Sequence, residues 1–285
     1  MSPSVRRAPT THPGPSFGRV VAAEWTKLLS LRSTVAIAVA TVAVTGGLTY
    51  LFASAASGDP GFVPTRNLAD ALPLAFLGPL VLGVLVGTGE FSTGTFRSTF
   101  AAVPRRVPVL AAQAVVTAGF VLGVAVLTVG AAVLGILPAA ASRDVTPDLA
   151  GAGVPQILLG SVVHLVGTAL LGLAIGALLR RPVPALVTAF AVVVIAPLVL
   201  SLAVDFATGP PVASTSGTTP PATAAVNTVE TFTPAGAGGV LTSPGGGGLE
   251  GAPDLGMPGA AAVLAAWVAV PLAAAAYRLR RRDLA

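Results

Sequence analysis

Ser161 and His164 stand three residues apart, a spacing that shares a helix face and would set a hydroxyl beside a possible general base. No glycine-rich serine motif accompanies them, so chance spacing on an apolar helix competes with an intramembrane protease. For His164 alone the readings are a packing histidine bonded to a backbone carbonyl or a proton relay. The only other histidine, His12, lies in a tail rich in Pro, Ser, Thr and Arg, and there is no cysteine, which rules out a multi-histidine or thiolate metal centre. Lys27 is the single lysine and follows no glycine loop, so the chain has no Walker A phosphate cradle. The run Ser243–Gly248 lacks a following Lys-Ser or Lys-Thr and a helix start, and is no cradle either. No catalytic, cofactor-binding or metal-binding residue is assigned, and the chain reads as a non-enzyme.

The chain is organised instead around Gly87–Pro108, GTGEFSTGTFRSTFAAVPRRVP, a polar interlude between two apolar runs. Thr95–Val103 has room for about two helical turns before Pro104, which removes a backbone donor and disfavours helix in the residue ahead of it. Phe96, Phe100 and Val103 then share one face, Arg97 points elsewhere, and Arg105 with Arg106 closes the segment. One reading is a plain loop whose arginines mark the cytoplasmic side. The other is a short amphipathic helix on which a partner docks.

The elements that hold this loop are membrane spans. Hydrophobic residues make up 54% of the chain, charged ones 9%, and mean hydropathy is +0.86, which excludes a water-soluble domain. Six apolar runs each cross about 30 Å at 1.5 Å per residue: Thr34–Ala55, Leu68–Thr88, Val109–Leu137, Val154–Leu179, Val183–Val204 and Pro258–Tyr277. Pro73, Pro79 and Pro197 fall inside spans and predict local breaks in the hydrogen-bond ladder. Ahead of them, residues 1–16 read as a disordered cytoplasmic tail. Residues 17–33 read as an interfacial helix, with Phe17, Val20, Val21, Trp25, Leu28 and Leu31 crowding one half of the wheel. Glu24 falls in that apolar half and needs a partner. Ala53-Ser54-Ala55 resembles a signal cleavage site, but the preceding charged region and the apolar run are both too long, and the first run is kept as an anchor.

With the N-terminus cytoplasmic, every Lys and Arg except Arg66 and Arg143 falls on the inner side, as the positive-inside rule asks. Both termini are then cytoplasmic, with a basic tail over 278–285, and the fit is to a multi-pass protein of the cell membrane. The formal charge of +5 therefore reports topology, not nucleic-acid binding. Residues 206–257 form a long extracytoplasmic loop, of which Thr208–Pro221 and Ser243–Gly248 read as flexible linker, while Asn227–Leu241 has room for a short element.

Three places carry a family resemblance. Glu24-Trp25-Thr26-Lys27-Leu28 with Arg32-Ser33-Thr34, the stretch Gly89-Glu90-Phe91-Ser92-Thr93-Gly94-Thr95-Phe96-Arg97-Ser98-Thr99 followed by Pro104-Arg105-Arg106, and the ending Arg281-Arg282-Asp283 resemble the permease subunits of ABC-2 (type 2 ABC exporter) transporters. With six spans, the likeness covers nearly the whole chain. It implies an all-α integral membrane protein in which a connecting helix (Glu24, Trp25, Lys27, Arg32) leads into six spans. It also implies a cytoplasmic coupling helix at about 95–103 between the second and third. Phe96, Arg97, Phe100, Arg105 and Arg106 would dock on a separate ATP-binding subunit that holds ATP and Mg, and Glu90 with Gly94 would relay the movement. A second permease, identical or related, would complete the pathway. Family members often carry a structured element between the fifth and sixth spans, and the Gly/Pro-rich loop here departs from that expectation. A non-transporting scaffold or sensor that recruits a cytoplasmic partner through the same loop is the alternative.

Overall fold

The structure is a computed structural model, and it describes residues 16–92, 106–208 and 221–281. Among these residues every regular element is a helix, with no strand. In chain order the elements are α1 (Phe17–Ser30), α2 (Arg32–Ala56), α3 (Arg66–Ala71), a 3-10 turn (Leu72–Phe76) and α4 (Leu77–Ser92). Then come α5 (Arg106–Ala141), α6 (Val154–Leu179), α7 (Pro182–Phe190), a π turn (Ala191–Ile195) and α8 (Ala196–Thr208). Last are α9 (Pro221–Thr231), α10 (Pro234–Thr242), a 3-10 turn (Pro244–Gly246) and α11 (Gly256–Arg281). Six segments are long and apolar enough to cross a membrane: Arg32–Ala56, Arg66–Phe91, Val107–Ala141, Val154–Leu179, Pro182–Ala203 and Gly256–Arg280. The protein is a multi-pass membrane protein.

The prolines act where expected. Pro73 lies in the 3-10 turn that divides the second span, and Pro79 sits in the first turn of α4, where its missing N–H costs little. Pro197 stands two residues beyond the π turn; with no N–H to return to the carbonyl four residues back, the fifth span widens there by one residue.

What brings the spans together is small residues. Gly83 and Gly87 on α4 face Gly172 and Gly176 on α6, two four-residue spacings in register. A Cβ on Gly83 would lie 1.9 Å from the Ala169 carbonyl oxygen, one on Gly87 2.3 Å from that of Leu173, and one on Gly172 2.3 Å from that of Leu80. Backbone meets backbone, the arrangement by which membrane helices gain dispersion contact without a hydrophobic driving force. α2 and α5 repeat the device at Gly46 and Gly135, where an added Cβ on Gly135 would meet the Gly46 carbonyl at 2.7 Å. Thr41, Thr45 and Thr49 line the buried face of α2. Thr41 and Thr49 donate to carbonyls one turn back, Ile37 and Thr45, at 2.8 Å, so no hydroxyl of that pair is left unpaired in an apolar medium.

Most of the Thr208–Pro221 stretch expected as flexible linker lies outside the described residues, and the short element for which Asn227–Leu241 has room is present as part of a longer helical pair. α9 and α10 form a hairpin in which α10 tucks between α6 and α11 while α9 packs on α8. Thr233 caps α10 by accepting from the Gly236 N–H at 3.0 Å, with Pro234 at the first helical position. Gly160 of α6 leaves room for α10: a Cβ there would be 1.7 Å from the Leu241 carbonyl oxygen. Deeper, the His164 ring abuts Gly238, and the Trp267 indole N–H of α11 donates to the Phe232 carbonyl at 2.8 Å. Both residues lie about 15 Å along their helices from the hairpin end, roughly half of a bilayer core. The Ser243–Gly248 run contains a 3-10 turn and is held near Gln156 and Gly256, and Asn227 donates to the Glu250 carbonyl at 2.8 Å. The hairpin is thus a packed part of the bundle, which corrects the reading of 206–257 as a departure from a structured loop.

Candidate functional site

At the opposite end of the bundle, α1 meets the last turn of α4. Val20, Glu24 and Leu28 recur every four residues along α1 and form its buried stripe; Val20 packs on Val109 and Ala112 of α5. Trp25 stands edge-on to Phe120, ring centroids 6.5 Å apart. A carboxylate on such a stripe needs a cation. Lys27, three residues on, supplies it: Nζ donates to Glu24 Oε1 at 2.7 Å and to Glu90 Oε1 at 2.8 Å. Both carboxylates are buried, with side-chain exposures of 8% and 6%, while Lys27 is half-exposed at 44%. One ammonium therefore joins α1 to the end of the second span. Burial pulls the Lys27 pKa down, but the hydrogen bonds and charges of Glu24 and Glu90 outweigh it and hold the pKa above the ordinary 10.5.

The next residue continues the connection. The Arg180 guanidinium lies over the Phe91 ring, 5.0 Å from its centroid. Arg180 ends α6 in the left-handed conformation at φ 61°, its N–H donating to the Gly176 carbonyl at 2.8 Å. Arg278 of α11 in turn donates to the Leu178 carbonyl. The ends of α1, α4, α6 and α11 are linked in that order by polar contacts.

Of the residues singled out by sequence, Glu24, Lys27 and Glu90 come together and Trp25 braces α1 on α5. Arg32 is exposed at the start of α2, across the single extended residue Leu31 that separates the first two helices. Gly94, Phe96, Arg97, Phe100 and Arg105 lie outside the described residues, as does the expected coupling helix; Arg106 opens α5. Arg180 and the facing glycines were not singled out, and Phe91 only as part of the stretch that carries the resemblance. The Gly-x-x-x-Gly spacings at 83/87 and 172/176 were the available signal for the glycines.

Ser161 and His164 do not form a nucleophile–base pair here. Both are buried, but the Ser161 hydroxyl donates to the Ile157 carbonyl at 2.6 Å. His164 packs edge-on to Phe76, centroids 5.9 Å apart, and its Nδ1 has no hydrogen-bond partner, contrary to the expected bond to a carbonyl. No protein-family model matches this chain, and no curated protein matches it.

Proposed function

We propose that this chain is the membrane-spanning permease subunit of an ABC-2 type transporter, an exporter driven by a separate ATP-binding subunit. The observation that carries the reading is the Lys27 bridge, because it ties α1 to Glu90, three residues ahead of segment 93–105, where a docked partner would push. In this reading α1 lies in the membrane interface as the connecting helix. Phe17, Trp25, Leu29 and Leu31, all at least 40% exposed, then face lipid. Segment 95–103 is the cytoplasmic coupling helix, with Phe96 and Phe100 seated in the ATPase and Arg97, Arg105 and Arg106 paired with its acids. ATP and Mg bind on that partner. The termini are cytoplasmic, the membrane is the cell membrane, and a second permease copy or a related chain completes the path.

Closure of the ATPase dimer around nucleotide moves segment 93–105. Glu90 and Lys27 carry that displacement to α1, and α4 carries it with α6 toward the α9–α10 hairpin. Nucleotide shifts the equilibrium between inward- and outward-facing states only as far as it binds the two differently. The packed hairpin agrees with the structured element that the family resemblance leads one to expect between the fifth and sixth spans.

The test is affinity recovery of the tagged chain from its native membrane in mild detergent. A soluble ATP-binding subunit co-purifies, and is lost when Phe96, Arg97 and Phe100 are replaced by Ala while the six-span protein is still recovered. Recovery without any ATPase, under conditions that keep other membrane complexes whole, rejects the permease reading in favour of a scaffold or sensor.

A further inference from the structure

Toward the α1 end, α6, α7 and α11 enclose a groove of 430 Å³. Ile175 of α6, Thr188 of α7, Val192 of the π turn and Trp267 and Val270 of α11 line it, and Val270, 70% exposed, marks its open side. Little in it is polar: the Trp267 N–H is already given to the Phe232 carbonyl, which leaves the Thr188 hydroxyl. A water-soluble ligand finds almost nothing to bond.

The rim is different. Arg181 stands at the N-cap of α7, and α11 carries Arg278 in its last turns. Thr188 lies about 10 Å along α7 from Arg181, and Val270 about 12 Å along α11 from Arg278. Trp267 is about 16 Å from Arg278, close to the thickness of one leaflet, and Ala266, also in the lining, lies one residue deeper. Arg181 is exposed, and Arg278 bonds only to the Leu178 carbonyl, which draws its guanidinium across toward α6. Among the described residues the ion pairs both belong to Lys27, and no described carboxylate pairs with either of these arginines. An apolar groove whose lining stops two to three helical turns short of two arginines on the same helices, with no described carboxylate pairing either, matches a molecule with an apolar chain and an anionic head that spans that distance.

We propose that the groove binds an acyl chain of an anionic glycerophospholipid from the leaflet on the α1 side, with Arg181 and Arg278 holding the phosphate. A zwitterionic lipid offers the same chain to the groove without the net charge, so the rim sets the preference. The proposal does not depend on the permease reading.

The chain's two tryptophans make the test direct. The full chain with Trp25→Phe, leaving Trp267 as the reporter, is reconstituted into phosphatidylcholine vesicles. These contain an equal minor fraction of either acyl-brominated phosphatidylglycerol or acyl-brominated phosphatidylcholine. Bromine quenches Trp267 severalfold more from the anionic lipid. Arg181→Ala with Arg278→Ala lowers that quenching to the zwitterionic level, Arg181→Lys with Arg278→Lys preserves it, and Ala266→Phe, which fills the groove, lowers quenching by both lipids. Equal quenching by the two lipids in the parent chain overturns the proposal whatever the variants do, as does an anionic excess that survives loss of both arginines.

Discussion

Replacing Lys27 by methionine keeps much of the side chain's apolar length and removes the cation that two buried carboxylates share. The oxygens of Glu24 and Glu90 both touch Nζ, at 2.7 and 2.8 Å, so they are at most about 5.5 Å apart, and at an effective dielectric of about 20 their repulsion is about 3 kcal/mol. Water entering at the half-exposed lysine position screens part of this, which leaves an expected loss of about 1–3 kcal/mol. The midpoint of thermal unfolding in detergent should fall by roughly 3–10 °C. The assay is a cycle of Lys27→Met, Glu90→Gln and the double variant. Because the damage is repulsion between two acids, adding Glu90→Gln to Lys27→Met should restore most of the loss, although it removes a second native group. A double variant less stable than Lys27→Met alone would refute the electrostatic account and leave only lost packing. The sign with pH is also fixed: the Lys27 pKa is raised, so its contribution is complete below pH 10.5 and disappears only as pH climbs through the higher folded value. Wild-type stability should therefore show no loss from this group between neutral pH and pH 10.

Three other outcomes follow from the packing. Gly83→Ala should destabilise by about 1–3 kcal/mol or more, since its Cβ meets a backbone oxygen at 1.9 Å that no rotamer change can move; unfolding in detergent reads it. Gly160→Ala should lift the hairpin from α6, and in this cysteine-free chain a single Val240→Cys, buried in the parent, should become reactive to a water-soluble maleimide. Glu230 has its pKa raised by burial, so the fold binds its proton more readily than the unfolded chain does, and stability falls as pH rises through that value; Glu230→Gln should stabilise at pH 7 and be neutral at acid pH, measured as a pH series of unfolding midpoints.

The spans were legible because length and apolarity alone decide them, and their ends shifted by only a few residues where helices continue past the apolar run, as at Tyr277 to Arg281. Glu24 was legible as an acid in want of a partner, but half of its answer lies at Glu90, and no periodicity links residues on different helices. The sequence leaves room for a short element over Asn227–Leu241, but its Ala, Gly, Pro and Thr content, that of a linker, does not announce a hairpin packed into the bundle. In water such residues bury too little to fold, yet against α6 and α11 their smallness permits close approach, and the Thr233-Pro234 cap was the local sign of a helix start. Arg180 was read as a topological charge, and only the chain turn at φ 61° sets it over Phe91.

The seam between α4 and α6 has a mechanical consequence. Side chains that interdigitate can slip by changing rotamers, but backbones in contact at Gly83, Gly87 and Gly172 have no such freedom. Sliding either helix would drive a Cα into a carbonyl, so the pair behaves as a single strut, and α6 alone is about 39 Å long. One end of that strut carries Glu90, Phe91 and Arg180; the other, at Gly160, bears on the hairpin. A tilt imposed at one membrane face is delivered to the other without being absorbed between them.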